Sequence, residues 1–162
     1  PLRGWKWHLY EGGIRVPLIV RWPAQVPAGR TDTTSVLNIC DFTPTALRLA
    51  GALMPEGYES DGIDVVAALE GRPFARRQPM FWHTPTAVRR GPPLAIRDGD
   101  WKLLIEPDGT LAELYDLSSD IAEANNLASK HPERAADLQA KLRTWHRSLP
   151  KELERPVTGR IP

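Results

Sequence analysis

In the stretch Leu94-Ala-Ile-Arg-Asp-Gly-Asp-Trp-Lys-Leu-Leu-Ile105, an Asp-Gly pair separates two apolar runs. Asp-Gly between apolar runs is a strong signal for a tight turn, so the stretch predicts an antiparallel hairpin with strands at 94–97 and 101–105. Met80-Phe-Trp82 precedes the hairpin and Glu113-Leu-Tyr-Asp-Leu117 follows it, and each predicts a further short strand. The sequence therefore predicts a four-stranded antiparallel sheet.

One amphipathic helix is predicted to follow this sheet. It begins at Pro132 and ends before Pro150, because proline suits the first position of a helix and terminates its interior. Its apolar stripe, at spacings of four, three and four, is formed by Leu138, Leu142, Trp145 and Leu149. A sheet with one such helix across it is a self-consistent small α+β unit, in which we expect Trp101 and Trp145 to join sheet and helix.

The first half of the chain has a different pattern. Val16 to Trp22 is apolar with almost no polar alternation, which predicts a buried strand covered on both faces. A helix is predicted to begin with Thr43 or Asp41 as its N-cap and to stop at Gly51, and a shorter one is predicted at 63–69. One central strand and two helices cannot complete a sheet. We therefore predict an α/β portion at 1–74, an α+β subdomain at 75–150 and a tail at 151–162.

Composition excludes several classes of function. The 162 residues are 41% hydrophobic and 25% charged, which is ordinary for a globular domain. The 21 basic and 20 acidic side chains give a net charge of +1, and the longest basic runs, Arg76-Arg77 and Arg89-Arg90, predict solvated loop charges. This balance argues against a nucleic-acid partner, and no apolar run reaches the ~18 residues that span a membrane. The single cysteine, Cys40, has apolar neighbours and predicts a buried structural thiol.

The segment Gly4-Trp-Lys-Trp-His-Leu-Tyr-Glu-Gly-Gly-Ile-Arg-Val-Pro17 concentrates the groups that handle anions. Lys6, His8 and Arg15 are potential hydrogen-bond donors to an anion. Lys6 in particular offers a compact ammonium to a tetrahedral anion. Gly12 and Gly13 fit either unusual backbone angles or a close approach of two chain segments. The segment therefore predicts an anion-binding loop.

Several stretches together resemble the arylsulfatase family of the alkaline-phosphatase-like superfamily. They fall in the same order as in that family and cover the chain to about residue 149, and members similar to N-acetylgalactosamine-6-sulfatase resemble it most. The stretches are Gly4-Trp-Lys6, Tyr10-Glu-Gly-Gly-Ile-Arg-Val-Pro17, Trp22-Pro23, Asp41-Phe-Thr-Pro-Thr45, Leu49-Ala-Gly51, Asp61-Gly-Ile-Asp64, Leu69-Glu-Gly71, Ala95-Ile-Arg-Asp-Gly-Asp-Trp-Lys-Leu103, Glu113-Leu-Tyr-Asp-Leu117 and Asn126-Leu127. The resemblance implies the end of an α/β sulfatase catalytic domain followed by the α+β subdomain.

The resemblance also implies roles for individual residues. In the family the lysine five positions before Glu-Gly-Gly contacts the sulfate ester, and here that lysine is Lys6. His8 is a second candidate donor to sulfate or sugar, with a packing role as the alternative. Glu11 and Arg15 are expected to pair and to hold the Lys6 loop. The Pro-rich loop from Thr84 to Pro93 either rims the substrate cleft, where Arg89 or Arg90 would meet an anionic glycan, or is a variable surface loop.

The sequence departs from the family in two ways. The formylglycine nucleophile of sulfatases is made within a Cys/Ser-x-Pro-x-Arg motif, and the residues after Cys40, Asp41-Phe42-Thr43, do not match it. The carboxylate and Asp-Asn ligands of the family's Ca²⁺ site have no counterpart here either. We therefore expect Ca²⁺ to belong to the full-length enzyme, and this chain alone to bind no metal and to be inactive.

The resemblance predicts a full-length enzyme that hydrolyses aryl or carbohydrate sulfate esters. Its partners would be a sulfated small molecule or glycan and the remainder of the catalytic domain, in a periplasmic, secreted or lysosomal setting. Two alternatives stay open at this stage. One is a non-catalytic module, for glycan binding or oligomerisation, derived from a sulfatase tail. The other is a related phosphomonoesterase or phosphodiesterase.

Overall fold

The computed structural model describes residues 1–84 and 90–150. These residues form two compact units, one of residues 1–16 with 79–84 and 90–150 and the other of residues 17–78. The first sixteen residues therefore pack with the C-terminal sheet, although the sequence groups them with the segment that follows. The assignment of 1–74 and 75–150 to two domains of a larger enzyme stays a prediction, and the tail at 151–162 lies outside the described residues.

A four-stranded antiparallel sheet forms the centre of the first unit, as predicted. Its strands are β1 (Met80–His83), β2 (Leu94–Asp98), β3 (Trp101–Ile105) and β4 (Glu113–Asp116), in the spatial order β1-β2-β3-β4. Asp98 pairs with Trp101 at the tight end of the hairpin, where Gly99 takes a φ of +62°. Glycine adopts that angle without steric cost, and the predicted hairpin is confirmed, with Gly99 and Asp100 in the turn and Asp98 still in β2.

Four helices lie in the described parts of the chain. They are α1 (Glu11–Ile14), α2 (Phe42–Leu49), α3 (Val66–Leu69) and α4 (Pro132–Ser148). The predicted C-terminal helix is confirmed in α4, with Leu138 and Leu142 fully buried against the sheet. The ring of Trp145 stacks on Phe81 at 5.0 Å between centroids, and Trp101 packs against the same core, as expected.

The opposite face of this sheet is covered by the first residues of the chain. Leu9 and Tyr10 pack there in a second apolar cluster with Ala95, Leu104 and Tyr115. Neighbouring residues of a strand point to opposite faces, so Leu103 faces α4 and Leu104 faces the N-terminal segment. A sheet covered on both faces explains why β2 and β3 are apolar almost without alternation.

The second unit holds α2, preceded by a 3-10 turn over Ile39–Asp41. Of the two predicted N-cap residues, Thr43 lies inside α2, whereas Asp41 occupies the N-cap position of α2 without a capping hydrogen bond from its side chain. Asn38 caps the 3-10 turn instead, because its side chain accepts from the Cys40 N–H at 3.1 Å while Asp41 accepts from the Asn38 N–H. The predicted stop at Gly51 is confirmed, with a φ of +66°.

Asp41 is the polar centre of the second unit. Its buried carboxylate accepts hydrogen bonds from the backbone N–H groups of Asn38 (2.7 Å) and Ile63 (3.0 Å) and pairs with Arg76. The Arg76 side chain is only 6% exposed, so the prediction that it is a solvated loop charge is wrong. The sequence could not show that Arg76 would be buried against the carboxylate of Asp41, which lies 35 positions earlier in the chain.

Replacement of Asp41 by alanine is expected to lower the free energy of unfolding by about 3–5 kcal/mol, because it leaves the Arg76 guanidinium buried without its counter-charge. Urea unfolding of residues 1–162, followed by circular dichroism, measures the change. Asp61→Ala is the matched control, since Asp61 is exposed in the same unit and its loss should stay within ~0.5 kcal/mol. Equal effects of the two variants would contradict the role given to Asp41.

The prediction of a buried strand from Val16 to Trp22 is wrong for this structure. That segment has no strand conformation, and its apolar side chains are solvent-exposed, Ile19 by 91% and Val16 by 79%. A strand is stabilised by hydrogen bonds to a neighbouring strand, and the sheet of the described residues is formed by β1 to β4 alone. Without such a neighbour the run stays irregular.

The prediction of a buried Cys40 is also wrong, because its side chain is exposed. Ile39 in the 3-10 turn (85% exposed) and Phe42, the first residue of α2 (72% exposed), also point outward. Apolar neighbours in sequence therefore did not make this a core position.

Within residues 1–84 and 90–150, no helix is long and apolar enough to cross a membrane.

Candidate functional site

Lys6 lies at the tip of a tight turn. The N–H of His8 donates to the carbonyl oxygen of Trp5 at 3.0 Å, which closes the turn around Lys6 and Trp7. Trp7 has a φ of +82°, an angle that most side chains avoid, so the turn holds a strained conformation. The Lys6 side chain is exposed, and its Nζ lies 4.9 Å from the centroid of the Trp7 ring. The turn thus presents an ammonium to the outside on a defined backbone.

His8 is half-buried and engaged within the same turn. Its Nδ1 lies 3.1 Å from the Trp5 carbonyl oxygen and 3.3 Å from the Trp5 nitrogen, and the tautomer decides which of the two it bonds. Its ring meets the Trp5 ring edge-on at 4.5 Å between centroids. The packing role predicted for His8 is thus seen in its contacts with Trp5, and its role as a donor to sulfate or sugar stays a prediction.

The glycine pair brings α1 into direct contact with this turn. A Cβ on Gly13 would stand 2.2 Å from the carbonyl oxygen of His8 and 2.7 Å from that of Trp5. A Cβ on Gly12 would stand 2.5 Å from the carbonyl oxygens of Arg3 and Gly4. Neither glycine has a positive φ. Close approach of two backbones, rather than unusual angles, is the reason that glycine occupies both positions.

Glu11, the first residue of α1, is buried in a group of charges. Its Oε1 accepts a hydrogen bond from Lys102 Nζ at 2.9 Å, and its Oε2 lies 3.8 Å from Arg15 Nη1 and 4.0 Å from Arg97 Nη1. Its backbone N–H donates to Glu123 Oε2 at 2.6 Å. The expected Glu11–Arg15 pair is therefore present, but Lys102 and Glu123 hold Glu11 at shorter distances.

Sequence reasoning missed Lys102 and Glu123. One signal was available for Lys102, because it is a charged residue inside a run with no other polar alternation, and such a strand is buried on both faces. A lysine at that place requires carboxylate partners. Glu123 carried no comparable signal, since it lies in a loop between Ala122 and Ala124, outside any predicted strand or helix.

A second polar group attaches the N-terminal segment to β4. Arg3 Nη1 contacts Glu113 Oε2 at 3.0 Å, and the hydroxyl groups of Tyr10 and Tyr115 donate to the same carboxylate at 2.9 and 2.5 Å. Burial, together with the adjacent Glu113 carboxylate, raises the pKa of both tyrosines, so both stay protonated donors. The Arg3 guanidinium also lies over the Tyr10 ring at 3.9 Å.

The loop after β1 carries the other sequence candidates. Trp82 is partly buried against the cluster of Leu9 and Tyr10, and Arg90 is exposed. Arg89 lies outside the described residues. A role of this loop at a substrate cleft stays a prediction.

A Ca²⁺ ion does not fit the residues around Lys6. The part of the chain that the structure describes contains no group of three or more His, Cys, Asp or Glu side chains arranged to hold a metal. Glu11 faces Lys102 and Arg15, and Ca²⁺ requires six to eight oxygen ligands. The described residues around Lys6 therefore supply too few oxygen ligands for this ion.

Comparison with known proteins defines the class as a sulfatase C-terminal region. Residues 4–151 match the family model for the N-sulphoglucosamine sulphohydrolase C-terminal region. This match covers more than half of the chain, and the chain belongs to that family.

Individual relatives agree with this classification. The chain is 35% identical to a sulfatase of Formosa agariphila over 90% of its own length and 29% of the relative. It is 30% identical to the N-acetylgalactosamine-6-O-sulfatase of Bacteroides thetaiotaomicron over 84% of its length and 28% of the relative. The chain therefore spans less than a third of these relatives.

Among solved structures, the fold is similar to that of Ps i-CgsB, with a TM-score of 0.75 and 28% identity over 90% of this chain and 32% of that one. Ps i-CgsB has also been solved in complex with k-i-k-neocarrahexaose. The four-stranded sheet with its packed helix is thus the fold of a sulfatase C-terminal region.

Proposed function

We propose that the full-length protein containing this chain hydrolyses sulfate esters and that Lys6 binds the sulfate group. The observation that carries this proposal is the exposed Lys6 ammonium on a strained turn, held in place by the backbone of α1. A surface lysine would not require a glycine at 13 to seat its turn against a helix. Membership of the sulfatase family supports the same reading of the Lys6 segment.

The reaction is RO–SO₃⁻ plus water giving ROH and sulfate. The ammonium of Lys6 would bind a sulfate oxygen or the bridging oxygen, and it would stabilise the negative charge that grows there as the S–O bond breaks. His8 would donate a second hydrogen bond to sulfate or to the sugar. The formylglycine nucleophile and Ca²⁺ of the family supply the attack on sulfur and further charge neutralisation when present, and we place both outside this chain.

The proposed substrate class is a sulfated glycan or a small sulfated alcohol or phenol. One relative is named as an N-acetylgalactosamine-6-O-sulfatase, and one structural neighbour is solved in complex with k-i-k-neocarrahexaose. Both support a carbohydrate sulfate as the first substrate to test. Trp5, which is 65% exposed beside Lys6, is compatible with a sugar ligand, since indole rings present large apolar faces.

Two parallel assays test this proposal. We expect the full-length protein, with Ca²⁺, to release sulfate from an aryl sulfate and from N-acetylgalactosamine 6-sulfate. Residues 1–162 alone are expected to show no turnover with or without Ca²⁺. Turnover of the matching phosphate esters only would favour a phosphoesterase, and binding of a sulfated glycan by the full-length protein without turnover would favour a non-catalytic module. Either result would contradict the proposal.

A further inference from the structure

Lys102 is a fully buried charged residue, and the proposed binding of sulfate by Lys6 does not directly explain why a lysine occupies this position. Its side chain is 0% exposed, and its Nζ lies 2.9 Å from Glu11 Oε1 and 2.8 Å from Glu123 Oε1. Removing an ammonium and two carboxylates from water costs much of the free energy that their attraction returns, so an apolar residue of similar size often serves stability as well. Stability alone is therefore a weak explanation for this lysine.

Both partners of Lys102 act on α1. Glu11 is the first residue of α1, and Glu123 Oε2 accepts the hydrogen bond of the Glu11 N–H at 2.6 Å. Glu123 is fully buried and has a φ of +54°, so the loop after β4 adopts an uncommon conformation to deliver this carboxylate. Burial raises the pKa of Glu123, and the Lys102 ammonium opposes that rise. Lys102 thus favours the charged form of the carboxylate that holds α1.

Helix α1 in turn carries the Lys6 turn. The Gly12 N–H donates to the Arg3 carbonyl oxygen at 2.8 Å, and Gly13 has no room for a side chain below the carbonyl oxygens of Trp5 and His8. Because the two backbones touch, a displacement of α1 moves the turn with it. The contacts therefore run without a gap from Lys102 in β3 to the backbone on either side of Lys6.

We propose that Lys102 and Glu123 are positioning residues that hold α1, and with it the Lys6 ammonium, at the place where the sulfate binds. The inference rests on the proposed role of Lys6. According to this proposal, the C-terminal sheet contributes to catalysis. Lys102 in β3 and Glu123 in the loop after β4 would fix the position of the Lys6 ammonium without contacting it.

The test replaces Lys102 by methionine, which has a similar length and no charge, in the full-length protein. Lys141→Met is the matched control, because Lys141 also bridges two carboxylates, Asp98 at 2.8 Å and Asp137 at 3.1 Å, but does so on the surface. The measurements are amide hydrogen exchange over residues 4–14, and kcat and KM per folded molecule. Both variants are also made in a Lys6→Ala background.

We expect Lys102→Met to speed exchange at the His8 and Gly12 amides at least tenfold and to lower kcat per folded molecule by ~10- to 100-fold, since small displacements of a reacting group have such costs. Lys141→Met should change neither quantity. In the Lys6→Ala background, Lys102→Met should lower kcat little further, because the group that it positions is already gone.

A Lys102→Met enzyme that melts at a lower temperature but keeps wild-type exchange and wild-type kcat per folded molecule would overturn the proposal. So would fully additive losses with Lys6→Ala. If Lys102→Met does not fold, Glu123→Gln takes its place, because the amide keeps an acceptor for the Glu11 N–H and loses the charge. The exchange measurement needs no substrate, so a protein without sulfatase activity would refute the proposed function while exchange still decides whether Lys102 orders the loop.

Discussion

Lys6→Ala is expected to lower the kcat of the full-length protein on a sulfate ester by ~10²–10³-fold, the usual cost of removing one preorganised donor from a developing charge. The ammonium is exposed and forms no ion pair with residues 1–84 or 90–150, so the melting temperature should stay close to that of the wild type. Sulfate release under saturating substrate, together with thermal unfolding, measures both quantities.

Lys130→Ala is the matched control for Lys6→Ala, since Lys130 is also exposed but lies in the loop before α4. Its kcat should equal that of the wild type. A Lys6→Ala enzyme within twofold of wild-type kcat would remove Lys6 from the sulfate site. A loss confined to KM would make Lys6 a ground-state binder without a share in the chemical step.

Gly13→Ala is expected to reduce activity ~10²-fold or more, because the methyl group would displace α1 from the Lys6 turn by ~1 Å, and a misplacement of that size has such a cost. The new Cβ would stand 2.2 Å from the His8 carbonyl oxygen, and backbone atoms cannot rotate away as a side chain would. Sulfate release measures the loss of activity, and hydrogen exchange over residues 4–14 measures the displacement of α1 from the Lys6 turn.

Gly99→Ala separates this clash from the ordinary cost of removing a glycine. Gly99 lies in the β2–β3 turn of the same unit with a φ of +62° and no atom within 4 Å of its would-be Cβ. Its replacement should cost ~1 kcal/mol of stability through backbone strain and leave kcat unchanged. Equal kcat values for the Gly13 and Gly99 variants would show that the close contact between the Lys6 turn and α1 is not required for activity.

The local parts of this fold could be predicted from the sequence because their causes are local. Asp98-Gly99 determined the hairpin, the spacing of Leu138 and Leu142 determined the buried stripe of α4, and Gly51 determined the end of α2. The residue types of the Lys6 segment predict an anion-binding loop, and this stays a prediction, whereas the order of the stretches indicated the sulfatase family that the comparison confirms.

The tertiary structure alone decided which distant residues meet. Leu9 and Tyr10 cover the face of the sheet opposite α4, and Lys102 binds Glu11 and Glu123, residues 91 positions earlier and 21 later in the chain. Burial depends on such neighbours, so Cys40 and the run from Val16 were predicted as buried but are exposed. The sequence by itself determined the turns and the helix stripe, and it placed the charged side chains of the Lys6 loop side by side, since these features depend on adjacent residues. The position of that loop depends on contacts of α1 with Lys102 and Glu123. These residues are remote in sequence, so no local pattern predicts the contacts.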